Sequence, residues 1–167
     1  MKILETDRLI LRHVLESDAE FVLDLLNQPS FIKYIGDRGV RDVEAAKDYI
    51  ASRFTKSYNE NGFGLYLVES KDDASPLGLC GLVSRDTLPH PDIGFAFLPQ
   101  YWSQGYARES AEMVLVDAKE TLGLHRILAI TSKDNDSSGK LLERIGLRFD
   151  RLIIQGDEEL KLFSADI

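Results

Sequence analysis

The chain has 167 residues, of which 44% are hydrophobic and 29% charged, and a formal net charge of -8. That is the balance of an ordinary soluble globular protein of about one domain, large enough to bury a core without disulfide or metal staples. The acidity argues against nucleic acid as a main partner, since phosphate backbones call for a basic face, and it leaves room for a cationic one.

The single cysteine, Cys80, lies in the apolar run 77–83 and reads as a small buried thiol. His13, His90 and His125 are scattered without ligand spacing, so no metal site is expected. No signal-type segment or long apolar span precedes Arg8, which points to a cytoplasmic protein that stays out of the membrane.

In chain order, Leu9, Ile10 and Leu11 form a short aliphatic strand, and Ser17-Asp18-Ala19-Glu20 fits a capping box that opens a helix through Phe21, Val22, Leu25 and Leu26. Asn27-Gln28-Pro29 ends that helix, and a short segment over 31–35 runs into a loop at 36–39. A second helix starts near Asp42, turns Val43, Ala46, Ile50, Phe54 and Tyr58 inward, and stops at Asn61-Gly62. Residues 63–70 and 77–85 read as strands joined by a polar hairpin turn, and residues 86–91 turn the chain again. The run 92–98 is apolar on both alternations, as in a central strand covered on both faces.

The next stretch, Gln100-Tyr101-Trp102-Ser103-Gln104-Gly105-Tyr106-Ala107-Arg108-Glu109-Ser110, carries the chain from that strand into a long helix. Ala107, Ala111, Val114, Leu115, Ala118 and Leu122 recur at helical spacing, so the helix begins near Gly105 and closes at Gly123. Its unpaired N–H groups and dipole make an anion site, and Gly105 has no Cβ to hold an anion away from the backbone. Alternatively, Gly105 only eases the turn while Trp102 and Tyr106 pack. No Walker loop or three-glycine dinucleotide fingerprint exists in the chain.

A strand over 126–131 follows, then a helix with Asn135 or Asp136 at its cap and Gly146 past its end, then a closing hairpin of 149–154 and 158–163. No linker or repeat divides residues 1–167, so a single domain is expected. The order β-α-α-β-β-β-α-β-α-β-β gives an α/β fold with a mixed sheet, whose parallel unit is the strand–helix–strand over 93–131.

The segment Trp102-Ser103-Gln104-Gly105-Tyr106-Ala107 resembles the pyrophosphate-binding turn of the GNAT acetyltransferases, in the form Trp before G-[KQ]-G-[YI]-A that the ribosomal-protein N-terminal acetyltransferase (RimJ/RimL-like) branch tends to have. The opening Met1-Lys2-Ile3-Leu4-Glu5-Thr6-Asp7-Arg8-Leu9-Ile10-Leu11-Arg12 is similar to that branch's "ETERLxLR" strand. Asn135-Asp136-Ser137-Ser138 with Leu141-Leu142-Glu143-Arg144-Ile145-Gly146-Leu147 is similar to its "NxxS…LLEKLGF" segment. Three matches in order cover nearly the whole chain.

The resemblance implies the GNAT fold: a mostly antiparallel central sheet, splayed at the cofactor site, with helices on both faces. It implies acetyl-coenzyme A as donor, with main-chain contacts from Phe97 and Leu98 to the pantetheine arm and the pyrophosphate held by Trp102, Gln104, Gly105, Tyr106, Ala107 and Arg108. Asn135, which needs only a capping role on pattern alone, would also contact the arm, and Ser138 would lie near the sulfur. Arg108, Lys133, Lys140 and Arg144 are the local cations; Lys and Arg ordinarily form a solvated face, but these flank the phosphate site of an otherwise acidic chain, and one or two of them are expected to meet the adenosine phosphates. Transfer to an amine needs a proton acceptor, for which Asp92 and Glu69 are the candidates beside their default reading as surface carboxylates.

The expected activity is direct N-acetyl transfer to a protein N-terminus or a small-molecule amine by a monomer or homodimer. The alternatives are a catalytically silent acetyl-coenzyme A sensor and, disfavoured by the missing phosphate-loop lysine, a nucleotide-binding domain.

Overall fold

The computed structural model describes residues 3–167; Met1 and Lys2 of the opening motif lie outside them. The motif folds as a hairpin rather than one strand, with β1 (Ile3–Glu5) antiparallel to β2 (Leu9–His13). Thr6 makes the turn: its N–H donates to the Leu9 carbonyl at 3.0 Å and its hydroxyl accepts from the Leu9 N–H at 3.1 Å.

The helix α1 (Ala19–Leu26) follows a 3-10 turn, Glu16–Asp18. The capping box expected at Ser17 is not what starts it. Asp18 instead accepts from the Leu15 N–H at 2.7 Å, the bond of a box that opens the 3-10 turn before the helix, and receives both terminal nitrogens of Arg12 at 2.9 and 3.0 Å, which hold its carboxylate in place. Residues expected as a plain segment form the short helix α2 (Pro29–Tyr34), with Pro29 in the first position, where its missing N–H is harmless.

The second long helix comes in three parts: α3 (Val43–Tyr49), a π-helical turn over Ile50–Thr55, and α4 (Lys56–Asn61). Asp42 caps it by accepting from the Ala45 N–H at 2.7 Å, and Gly62 ends it in the left-handed conformation. The remaining elements are β3 (Leu65–Ser70), β4 (Pro76–Val83), β5 (Asp92–Phe97), α5 (Tyr106–Glu120), β6 (Arg126–Ser132), α6 (Asp136–Arg144), β7 (Arg148–Gln155) and β8 (Glu158–Asp166).

Among the described residues, eight strands form one sheet in the order β1-β2-β3-β4-β5-β6-β8-β7. Neighbours are antiparallel except β5 and β6, the parallel pair that α5 connects. Two cores flank the sheet. Tyr66, Val68, Cys80, Leu82, Ile93 and Ile127 pack on one face with Ala111, Val114 and Ala118 of α5 and Leu142 of α6. Leu67, Leu79 and Leu98 pack on the other with Val22, Leu25, Ala46, Ile50 and Phe54 of α1 to α4. Cys80 is fully buried, and burial pushes its thiol up to about 12 against a hydrogen bond from Ser110, which makes it inert at neutral pH.

The glycine pattern of β4 reports how tightly the sheet centre is built. A Cβ at Gly81 would stand 2.0 Å from the Gly64 carbonyl oxygen and 2.8 Å from Leu65 Cα, both backbone atoms that cannot swing away. Gly81→Ala is expected to lower unfolding free energy by about 3 kcal/mol or more in a urea titration. A variant as stable as the parent would mean that β3 and β4 have room to separate there.

Candidate active site

The ladder between β5 and β6 stops after one register pair, Asp92 with Leu128, among the described residues. From there β5 continues to Phe97, roughly 17 Å at about 3.4 Å per residue, without β6 as a hydrogen-bonding neighbour. The Leu98 N–H donates to Leu77 O of β4 at 3.0 Å. Antiparallel alternation then turns the N–H and C=O of Phe97 away from β4, toward the side where β6 would lie. Trp102 confirms the direction, because its indole Nε1 donates to the Phe97 carbonyl at 2.8 Å. Leu98 differs from Phe97: its N–H serves β4 and its carbonyl accepts from the Tyr101 N–H at 3.0 Å. Open main-chain capacity for a pantetheine arm therefore lies at the Phe97 N–H and, by the same alternation, at the N–H and C=O of Phe95, since Trp102 already meets the Phe97 carbonyl; the expected share of Leu98 is taken by its two bonds.

Both strands of the gap end at the same edge of the sheet, and each leads into a helix on the same face. The start of α5 follows β5 and the start of α6 follows β6, so two sets of unpaired N–H groups and two positive dipole ends flank the opening. Gly105 is the residue before α5 and sits at φ +83°, a conformation that favours glycine. Ser103, two residues earlier, also sits in the left-handed region, at φ +61°, where a Cβ is strained. Trp102, Ser103, Gln104 and Gly105 are exposed, and Tyr106 and Ala107 are half-buried.

Several side chains of this turn point elsewhere than toward an anion. Gln104 donates its side-chain amide to Gln100 O at 2.9 Å, and Arg108 pairs with Glu112 at 2.7 Å. Lys133 pairs with Glu159 at 2.6 Å. The residue that the sequence reading missed is Arg8, from the turn between β1 and β2. Its Nη1 donates to the Gln104 carbonyl at 3.0 Å, its Nε pairs with Glu109 at 2.8 Å, and its guanidinium lies 4.5 Å from the Tyr106 ring centre. The only signal for it was its place in the opening motif. Burial alone would raise the pKa of Glu109, yet hydrogen bonds from the Thr6 hydroxyl and from Arg8 outweigh it and hold the carboxyl below the usual glutamate value. The stabilisation from this clasp is thus complete above the usual glutamate pKa and fades as pH falls through the lowered one.

At the other helix, Asn135 is the N-cap, accepting from the Ser138 N–H at 3.3 Å, a long bond. Asn135 and Ser138 are both half-buried, one turn apart at the mouth of the gap. Just before them, the hydroxyls of Thr131 and Ser132 are buried without a hydrogen-bond partner, unmet polar capacity at the same end of β6.

The two candidate proton acceptors lie on the same face of the sheet but far apart along it. Asp92 starts β5, is 1% exposed, and pairs with Arg85 at 2.9 Å. Burial raises its carboxyl above the ordinary aspartate value, against the opposing pull of Arg85. By strand alternation its side chain shares the face of Ala96 and Leu128, opposite α5. Glu69 lies two strands from β5, near the opposite end of the sheet, since it pairs with Pro76 while Asp92 pairs with Val83. Its carboxylate is held by Arg12 at 3.1 Å. Asp92 stands at the closed end of the gap, and Glu69 does not.

A depression of about 370 Å³ opens beside Leu128, lined by Leu88, His90, Arg126, Asp150, Ile153 and Leu162 among others. Gln155 donates to the Thr87 hydroxyl at 2.9 Å and so ties the loop between β4 and β5 over this part of the sheet.

The strained backbone at Ser103 yields a direct test of how the turn is held. Ser103→Gly is expected to gain about 1 kcal/mol, or about 2–4 °C in Tm by thermal unfolding, because glycine removes the Cβ conflict. An unchanged or lower Tm would assign the serine a stabilising contact that outweighs its strain.

A family model described as an acetyltransferase (GNAT) domain matches residues 8–148. The N-acetyltransferase YoaA of Bacillus subtilis (strain 168), itself uncharacterised, is 30% identical over 154 residues, which cover 92% of this chain and 86% of YoaA. Among solved structures, an acetyltransferase of Agrobacterium tumefaciens has a TM-score of 0.84 at 23% identity and covers 99% of this chain and 94% of its own. RimL, a ribosomal L7/L12 alpha-N-protein acetyltransferase in complex with coenzyme A, has a TM-score of 0.86 at 14% identity and covers 99% of this chain and 98% of its own. With the family model spanning most of its length and the fold in agreement, the chain belongs to the GNAT acetyltransferase family, whose donor is acetyl-coenzyme A.

Proposed function

We propose that the protein transfers an acetyl group from acetyl-coenzyme A directly to a primary amine, either a protein N-terminus or a small-molecule amine, within its single domain. The observation that carries this reading is the early end of the β5–β6 ladder, which leaves Phe97 with outward main-chain groups between two helix starts. When bound, the cofactor supplies an activated acetyl thioester. The residues that would hold it are Phe97 through its backbone, the turn from Trp102 to Arg108 through its N–H groups, and Asn135 and Ser138 at the start of α6.

In this reading Ser138 donates a hydrogen bond, or a proton, to the departing thiolate, and Asp92, set at the closed end of the gap, receives the proton from the amine through bridging water. The raised pKa of Asp92 suits it to that task, since a base works best when its pKa approaches the working pH. The depression beside Leu128 lies on the face of Asp92, and it offers the amine an approach from the side opposite α5. Its lining combines Arg126 and Arg151, paired with Asp166 and Asp150, with aliphatic side chains, so it does not concentrate negative charge. The silent-sensor reading is favoured by one observation: both candidate carboxylates are engaged by arginines.

A panel of amines, assayed by release of free coenzyme A thiol, separates the two. Turnover with at least one amine supports transfer, whereas tight binding without turnover for any acceptor supports the sensor. The single tryptophan sits on the strand end proposed to meet the arm, so quenching of its fluorescence provides the binding measurement.

Two substitutions test the roles. Ser138→Ala should lower kcat by about tenfold, the low end of general acid assistance, with cofactor affinity and Tm nearly unchanged. Full kcat would remove Ser138 from the mechanism, and collapsed affinity would reassign it to binding. In the parent, activity should fall on acidification as Asp92 takes up a proton, at a pH above the ordinary aspartate range because its pKa is raised. Asp92→Asn should lose most of its activity together with that acid limb of the kcat profile; an unchanged limb assigns the proton acceptor elsewhere.

A further inference from the structure

Of the cations expected at the adenosine phosphates, Arg108 and Lys133 are turned to Glu112 and Glu159. The cation that does stand at the turn comes from the other end of the chain. Arg8 approaches the Gln104–Tyr106 backbone from the β1–β2 turn and is about half-exposed. Its Nε is committed to Glu109 and one N–H of Nη1 to the Gln104 carbonyl. Its Nη2 lies 3.2 Å from the point that a Cβ on Gly105 would occupy, so it stands on the side of the turn that the glycine leaves clear. The Tyr106 ring supports the guanidinium from one side.

We propose that Arg8 is a cofactor-binding residue, whose Nη2 and remaining Nη1 N–H groups receive the phosphates of coenzyme A at the start of α5. The inference rests on the reading of this turn given under Proposed function and extends it to a residue in another part of the fold. A guanidinium suits the task better than an ammonium, because its planar fork can keep the Glu109 and Gln104 bonds on two edges and still present N–H groups on the third. Charge adds a second reason. Glu109 stands in the first turn of the same helix and would repel a phosphate unless neutralised, and Arg8 is its ion-pair partner in a chain of net charge -8.

The test compares donors with and without phosphates. Arg8→Gln should weaken coenzyme A binding, measured by calorimetry or tryptophan quenching, by about tenfold or more, as expected for loss of a charge-assisted contact. The same variant should use S-acetylpantetheine, which has the arm and thioester but no phosphate, as well as the parent does. Because Arg8→Gln leaves Glu109 without its partner, the double variant Arg8→Gln/Glu109→Gln is measured beside it. It restores Tm if the single variant is destabilised, and it should keep a selective loss toward coenzyme A, smaller than that of the single variant because the repulsion from Glu109 is removed as well. Equal coenzyme A affinity in parent and variants overturns the proposal, as does an equal loss with S-acetylpantetheine, which would make Arg8 a structural clasp only. A parent that fails to bind coenzyme A would instead overturn the assignment of the turn itself.

Discussion

The site depends on an interruption: β5 and β6 are bound together at Asp92 and Leu128, and their ladder goes no further. An unpaired strand edge inside a sheet is costly unless something else meets its N–H and C=O groups. Here β4 holds one side of β5 along its length, so the strand keeps its shape while the Phe97 groups face outward. The Trp102 indole meets one of them at the surface. Because the two strands are parallel, their ends lie at one edge and their helices start there. The arrangement that withholds hydrogen bonds from the strands is the one that points two helix dipoles at the gap.

What keeps this edge from rearranging is a set of ties made by the N-terminal hairpin. Thr6, through its hydroxyl, and Arg8, through Nε and its backbone N–H, all converge on Glu109 in the first turn of α5. A second arginine of the same hairpin, Arg12, binds Asp18 before α1 and Glu69 on β3, and these bonds raise its pKa further above that of a free guanidinium. The hairpin thereby joins helices on opposite faces of the sheet through β2. Partly exposed pairs of this kind contribute little individually, and their value lies in fixing geometry.

Much of this was legible in the residues. The apolar run of β5, the helical spacing that follows Gly105, the turn chemistry and the three motif stretches, read in order, lead to the observed fold and to the turn and α6 positions. Glycine at 105 and asparagine at 135 are informative because backbone conformation and capping are local properties. The local patterns mislead at two places, each for its own reason. Ser17 looked like a cap because the nearby glutamate fits the box, but Arg12 claims Asp18. Leu9 to Leu11 looked like the whole opening strand because Ile3–Glu5 is too short to display a period.

By itself, then, the sequence determined most of the elements and their order, though not β1, α2 or the break in the second long helix, together with the small-residue turn before α5 and the family to which the chain belongs, since each rests on periodicity, backbone preference or a contiguous motif. Only the tertiary structure decided which side chains meet. It brought Arg8 to Gln104 and Glu109 across about a hundred residues of chain. It placed Asp92 at the closed end of the gap and carried Glu69 two strands away, and it paired Arg108 and Lys133 with carboxylates. Register and sheet order set those distances, and they follow from how the two cores pack on opposite faces of the sheet, a property that no short stretch of residues encodes.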